Sequence, residues 1–334
     1  MSELKPFASK RAFYFPIDRK LYEVAPGLKP LGFDFGNGTL DQNVFQIDDD
    51  FPRYRSEKLA SRAEDLSKYH AVSKLSPRVE ASVVQRIVEH LLREWPQYFR
   101  LEKSAQVKSL ECALTSETLS FDSSWKLIDV VGGPTPPYVS ALDALMMQVQ
   151  EDAAILSGDP VNDSPGNWLS MLHILLPSHW DPREKIGHDF ASFHKPVPGF
   201  EKMAKAQHQL ADAMINKGPF VRFVWSFVTD TRLNHHPSPP PDADPVKWRG
   251  RAFNAGPDTS PFHLRIERQT ILSLPDVRAS LFLIRLSFIE GEAIRKDNQM
   301  REQLVGALES MTPAARTYKG VADCYSELTN WLKS

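Results

Sequence analysis

Four residues of this chain occupy positions where their types could do chemistry: one imidazole and three charged side chains set in otherwise apolar runs. In the run from Asp181 to Pro196, Asp181 can cap a helix, Pro182 fits its first position and Glu184 can complete a capping box. Pro196 forbids continuation, so the spacing predicts one short helix ending at His194. On a wheel counted from Ile186, Phe190 and Phe193 share an apolar stripe and His194 borders it. An imidazole at the edge of an oily helix face could ligate a haem iron while its neighbours cover the porphyrin. It could equally be a hydrogen-bonded histidine, favoured near a helix C-terminus by the dipole.

Arg222 lies in Phe220–Val228, where alternation sets it opposite Val221, Phe223, Trp225 and Phe227 and beside Val224 and Ser226. In Phe262–Thr270, His263, Arg265, Glu267 and Gln269 give one side of a strand a row of donors and acceptors. Arg285 stands alone among Leu281, Phe282, Leu283, Ile284 and Leu286, and a guanidinium so placed must find an anion or remain costly. Arg222, Glu267 and Arg285 could pair with one another as a structural ladder across strands. Alternatively they form a polarised pocket wall, where a guanidinium and a carboxylate hold an anionic oxygen species and a cationic amine side by side.

Other candidates are weaker. His173 sits in a buried run, His179 beside a capping residue, and His235-His236 lacks the i, i+4 spacing of a helical metal site. The zinc-hydrolase, serine-hydrolase and dinucleotide motifs are absent. Two cysteines, Cys112 and Cys324, are too few for a disulfide framework, which fits a reducing compartment. Forty basic against 42 acidic residues give no basic surplus for nucleic acid. No apolar run approaches the ~18 residues of a membrane span, and residues 1–7 lack a signal-peptide core, so the expected location is cytoplasmic.

The elements that must position these residues follow from periodicity. Residues 1 to about 60, rich in Pro, Gly and Asp, read as an irregular wrapping segment, followed by two helices up to Phe99. Leu110–Leu114 and Leu119–Ile128 read as a strand pair, Ser140–Leu156 as a helix, and Trp168–Leu176 as a strand or buried helix after a polar turn at 159–163. A helical stretch at 199–217 precedes three strand-like runs, Phe220–Val228, Phe262–Leu274 and Ala279–Phe288, and two helices close the chain. The expected class is α+β: a single antiparallel sheet with helices on one face and helical extensions at both ends. The corresponding divisions are 1–104 as an N-terminal extension, 105–292 as the core and 293–334 as C-terminal helices.

Several of these segments, in order, resemble the haem-dependent oxidative N-demethylase family of the alpha-subunit type. The resemblance begins with Phe15-Pro16-Ile17-Asp18 and Pro26-Gly27-Leu28-Lys29-Pro30-Leu31 and passes through Val149-Gln150-Glu151-Asp152. It is strongest in Pro177-Ser178-His179-Trp180, Glu184-Lys185-Ile186-Gly187 and His194-Lys195-Pro196-Val197-Pro198-Gly199. It continues through Arg222–Ser226, Leu264–Thr270, Leu281–Arg285 and Tyr318-Lys319-Gly320. What it implies is a PAS-like haem-binding core with haem b as cofactor, His194 as the proximal iron ligand, and Arg222 and Glu267 on the distal side. In that reading Arg222 faces dioxygen, Glu267 anchors a small secondary amine such as dimethylamine, and formaldehyde is released. Arg265 or Arg285 would hold the haem propionates. Electrons would come from reductase subunits carrying flavin, iron–sulfur and NADPH sites, since no such motif occurs here. The family often has Asn where this chain has Val224, which bears on the substrate. The alternatives are a haem-PAS gas sensor or carrier without turnover, and a metal-free small-molecule binding domain.

Overall fold

The computed structural model describes residues 10–158, 166–202, 204–253 and 262–334. Residues 1–7 and the turn at 159–163 lie outside the described residues. Eleven strands are described: Lys29–Pro30 (β1), His70–Val72 (β2), Phe99–Lys103 (β3), Lys108–Cys112 (β4), Glu117–Phe121 (β5), Leu127–Val131 (β6), Asp152–Gly158 (β7), Asn167–His173 (β8), Phe220–Val228 (β9), His263–Leu274 (β10) and Ala279–Glu290 (β11). The α-helices are Phe51–Asp65 (α1), Pro77–Glu94 (α2), Ala141–Met146 (α3), Phe190–His194 (α4), Gln207–Asn216 (α5), Pro245–Trp248 (α6), Gly291–Lys296 (α7), Asn298–Ser310 (α8), Pro313–Lys319 (α9) and Tyr325–Lys333 (α10). The class is α+β, with antiparallel pairing throughout both sheets. Among the described residues no helix is long and apolar enough to cross a membrane.

A seven-stranded sheet runs in the order β1-β9-β10-β11-β7-β8-β2, and a separate four-stranded sheet runs β3-β4-β5-β6. The strand pair expected near residue 110 is therefore the middle of its own small sheet, not part of one continuous sheet. Its outer strands escaped notice because β3 (Phe-Arg-Leu-Glu-Lys) and β6 carry few buried positions. The expected boundary at 104/105 passes between β3 and β4, which are paired. The helix expected over Ser140–Leu156 stops at Met146, and Asp152–Gly158 forms a central strand. Every residue of β7 is buried, so it reads as a continuous apolar run without the alternation that marks a half-exposed strand.

The last three strands form the expected meander. β-branched and aromatic residues alternate along β9, and β10 turns into β11 through Pro275–Val277 and Arg278, which takes a left-handed φ of +48°. Register fixes which side chains share a face. Arg222 lies opposite Gln269, which lies opposite Ile284; the next row is Val224, Glu267 and Leu286, and the next Ser226, Arg265 and Phe288. On this face Phe220, Ile271, Phe282 and Ile284 pack with Phe190 and Phe193 of α4 and Leu210, Ala211 and Met214 of α5. The other face is covered by the extensions: α2 and α3 over Ala153, Ile155, Leu281 and Leu283, and α8 and α10 over Phe227, Leu264, Ile266 and Ile289.

Candidate functional site

The helix expected from Asp181 to His194 is two pieces. Asp181 caps a 3-10 turn, Pro182–Glu184, and Asp189 caps α4, its Oδ1 accepting from Ser192 N at 2.7 Å. Between them Gly187 adopts a φ of +80°, and Gly187 N donates to Leu169 O while His188 O accepts from Leu169 N, both at 2.9 Å. Pairing with the edge of β8 thus diverts the backbone and breaks the helix. The end expected at His194 holds, and α4 packs through Phe190 and Phe193 on the sheet.

Within α4, His194 Nδ1 donates to Phe190 O at 2.8 Å, and among the described residues its Nε2 makes no hydrogen bond. Phe190, Phe193 and Phe200 surround the ring at centroid distances of 4.4, 4.3 and 5.3 Å. Burial, together with the charges of Arg222 and Lys185, outweighs the carbonyl contact and pushes its pKa down to about 4, so the ring is neutral at physiological pH. A neutral imidazole, its tautomer fixed by a backbone carbonyl and its other nitrogen free, is prepared to ligate a metal.

Arg222 and Glu267 stand one row apart on adjacent strands. Arg222 forms no hydrogen bond or ion pair through its side chain among the described residues, and its Nε is buried without an acceptor. Burial lowers its pKa, opposed by Glu267 and Tyr318. Glu267 Oε2 accepts from Gln269 Nε2 at 2.9 Å, while Oε1 accepts no hydrogen bond among the described residues. The alternative of a structural ladder is not what forms, since no ion pair joins Arg222, Glu267 and Arg285. Burial is the leading influence on His194, Arg222 and Lys185, yet all three retain solvent-touching surface, as do Phe220, Val224, Phe282 and Ile284. These side chains are deep in the fold yet not fully covered.

Two expected site residues are committed elsewhere. Arg285 faces the opposite side of the sheet, opposite Arg268, with its guanidinium on Asp48 Oδ2 at 2.8 Å and Gln46 O at 3.3 Å. The alternation was correct, but sequence alone could not say which parity of β11 shares a face with Glu267. Arg265 does share that face, but it is fully buried and donates to Leu176 O at 2.8 Å and Leu233 O at 2.7 Å and contacts His235 Nδ1 at 3.2 Å. It fastens two loops to the sheet through both terminal nitrogens and leaves Nε alone without an acceptor, not a two-pronged fork for a carboxylate. His173 is a core residue bonded to Asp143 at 3.0 Å, and His235 is held by Asp230 and Arg265.

The structure adds residues that sequence reasoning did not assign. Lys185 lies over the Trp180 ring at 4.3 Å, its pKa lowered by burial and raised in part by Glu267. Lys319, at the end of α9, donates to Trp225 O and sits 4.8 Å over the Trp225 ring. Burial pushes it down to about 8 against the pull of Glu267. The signal for both was their place in resembling segments, but only tertiary folding brings residue 319 to β9.

The model of the family described as haem-dependent oxidative N-demethylase, alpha subunit-like, matches residues 37–329. The chain belongs to this family. The residues present fit the group that the family name implies. Among the described residues no cluster of three or more His, Cys, Asp or Glu could hold a metal ion; His194, with Nδ1 on a backbone carbonyl and Nε2 free, is the residue that would hold a haem iron. Phe190, Phe193, Phe220, Phe282 and Ile284, between α4 and the sheet, are the apolar side chains that would contact a porphyrin held there.

Proposed function

We propose that this chain catalyses oxidative N-demethylation of a small secondary amine, with dioxygen as oxidant and electrons supplied by separate reductase subunits. For dimethylamine, the amine, dioxygen, two electrons and two protons give methylamine, formaldehyde and water. Haem bound through His194 Nε2 would supply the redox chemistry with dioxygen.

The chain's own residues bind, orient and exclude water. Glu267 Oε1 would accept from the ammonium form of the amine, with Gln269 holding Oε2 and so fixing the carboxylate plane. Val224, opposite Glu267, would contact the N-methyl groups without competing for the charge. Arg222 would direct its unpaired N–H groups to the partly anionic oxygen species beside the amine, and its lack of a protein partner leaves it free to do so. Phe190, Phe193, Phe282 and Ile284 would cover the porphyrin and keep water out.

The observation that carries this reading is the conjunction of a neutral, tautomer-fixed His194 with Arg222, whose charge acts on it, and with Glu267 one row from Arg222, neither of them committed to an ion pair. A gas sensor or carrier needs the first feature but gives the Glu267 carboxylate, with Oε1 open, nothing to bind. The test is to titrate the haem-loaded protein with dimethylamine while following the haem spectrum, and then to measure formaldehyde with a chemical reductant. The parent should respond to the amine and form formaldehyde. Glu267→Gln should keep its haem spectrum and need at least about tenfold more amine, as expected for losing a charge-assisted bond. Equal amine affinity in the variant would remove Glu267 from the amine site.

A further inference from the structure

Buried guanidiniums in this protein are generally well partnered. Arg62 sits on Asp143 at 2.7 Å, Arg285 on Asp48 at 2.8 Å, and Arg265 and Arg268 on backbone carbonyls. Arg251 departs from that pattern. It follows Gly250, whose carbonyl accepts from Thr229 N at 2.8 Å, so the loop returns its side chain to the end of β9. An unpaired Nε is common to Arg222, Arg251, Arg265 and Arg268, but among the described residues Arg251, like Arg222, makes no side-chain hydrogen bond or ion pair at all.

The position is built. A Cβ at Gly320 would lie 2.6 Å from Arg251 Cζ, so the guanidinium rests directly on the backbone where α9 ends, and Gly320 itself has a φ of +75°. That contact sets Arg251 beside the Tyr318-Lys319-Gly320 segment. Burial, then the nearby Arg249 and Arg265, pull its pKa down to about 10, while Tyr318 acts in the opposite direction. Lys319 lies on Trp225 of β9 while Arg251 lies against Gly320, the next residue of the chain, so the two cations flank the end of α9, and Lys319 also feels the charges of Glu267 and Arg222. Three cations there face one carboxylate, and that carboxylate is assigned above to an ammonium. The surplus calls for an anion with a planar, two-oxygen face, the shape a guanidinium fork matches best.

We propose that Arg251, flanked by Tyr318 and Lys319, is a carboxylate-binding site where the end of α9 meets β9. Two molecules could bring the carboxylate: a propionate of the porphyrin, or an amine substrate that is itself an N-methyl amino acid. The inference rests on the haem reading above, and it takes over the propionate role that Arg265 and Arg285 cannot fill.

The experiment uses the full chain, as parent, Arg251→Gln and Arg251→Lys, with melting curves to establish folding. In one arm the apoprotein is titrated with haem and with its dimethyl ester, followed by Soret absorbance. In the other, the haem-loaded protein is titrated with dimethylamine and with N-methylglycine, followed by the haem spectrum. If the carboxylate is a propionate, the parent prefers the free acid to the ester by about tenfold or more, Arg251→Gln erases that preference, and Arg251→Lys keeps part of it. If it belongs to the substrate, N-methylglycine binds more tightly than dimethylamine in the parent and loses that advantage in Arg251→Gln. An Arg251→Gln protein that matches the parent in both arms overturns the proposal. A parent that takes up neither haem nor ester refutes the haem reading instead. The apoprotein's melting temperature with N-methylglycine then tests the site alone, and a shift that is absent or independent of Arg251 overturns it too.

Discussion

Arg222 and Arg285 sit in the same sheet on opposite faces, and they should respond oppositely to the same substitution. Arg222 has a buried Nε without an acceptor and no ion pair among the described residues, so it is held against the preference of the fold. An unsatisfied buried N–H costs about 1–3 kcal/mol, and leucine would remove that cost while packing beside Phe220 and Ile284. Arg222→Leu should therefore stabilise the apoprotein by about 1–2 kcal/mol, within that range. Arg285→Leu removes the partner of Asp48, at 2.8 Å, and strips Gln46 O of a donor. Breaking one side of a buried pair costs about 3–5 kcal/mol, so the two variants should differ by at least about 4 kcal/mol. Urea unfolding of the apoproteins, read by far-UV circular dichroism, gives the comparison. The opposite signs should accompany opposite functional outcomes, with Arg222→Leu losing amine-dependent oxidation despite its stability. An Arg222→Leu protein as destabilised as Arg285→Leu would refute the reasoning, because Arg222 would then be a structural residue.

Two further outcomes follow from the geometry. Gly187→Ala places a Cβ 3.2 Å from Ser73 Oγ at a φ of +80°, which should cost about 1–2 kcal/mol and displace α4, weakening haem affinity in a Soret titration; unchanged affinity would mean that α4 is not positioned by this break. Burial holds His173, His194 and His235 at about 4 and His179 at about 2, so between pH 6.5 and 4 the unfolded chain takes up protons that the folded chain does not. Each such histidine removes about 1.4 kcal/mol of stability per pH unit on acidification, and Asp152, raised to about 6 by burial, offsets roughly one of them. The apoprotein's urea midpoint should fall between pH 7 and pH 5, and a constant or rising midpoint would contradict the assignment of buried neutral imidazoles.

The parts of the fold legible in the sequence were those with strong local patterns. Alternation in β9, β10 and β11 gave the meander almost to the residue and put Arg222 beside Val224 and Ser226, as observed. The Asp189–Pro196 stretch ends its helix where proline requires, although the break at Gly187 came from pairing with β8, a tertiary contact no wheel contains. Register was the main loss. Knowing that Arg285 alternates does not tell whether it aligns with Glu267 or with Arg268, and a shift of one residue exchanges the pocket for the back of the sheet. Where Arg251 and Lys319 lie was not legible for a different reason: their positions depend on a long loop and a terminal helix meeting at β9, over sequence distances that periodicity does not reach.

The central claim is that the imidazole of His194 holds a haem iron, and the absorption spectrum of the haem-loaded chain tests it most directly. The parent should show the Soret and visible bands of a histidine-ligated haem. His194→Gly should lose those bands and regain them when free imidazole is added to fill the space beside Phe190, Phe193 and Phe200. A His194→Gly protein that binds haem with the parent's spectrum and affinity, without imidazole, would contradict the account.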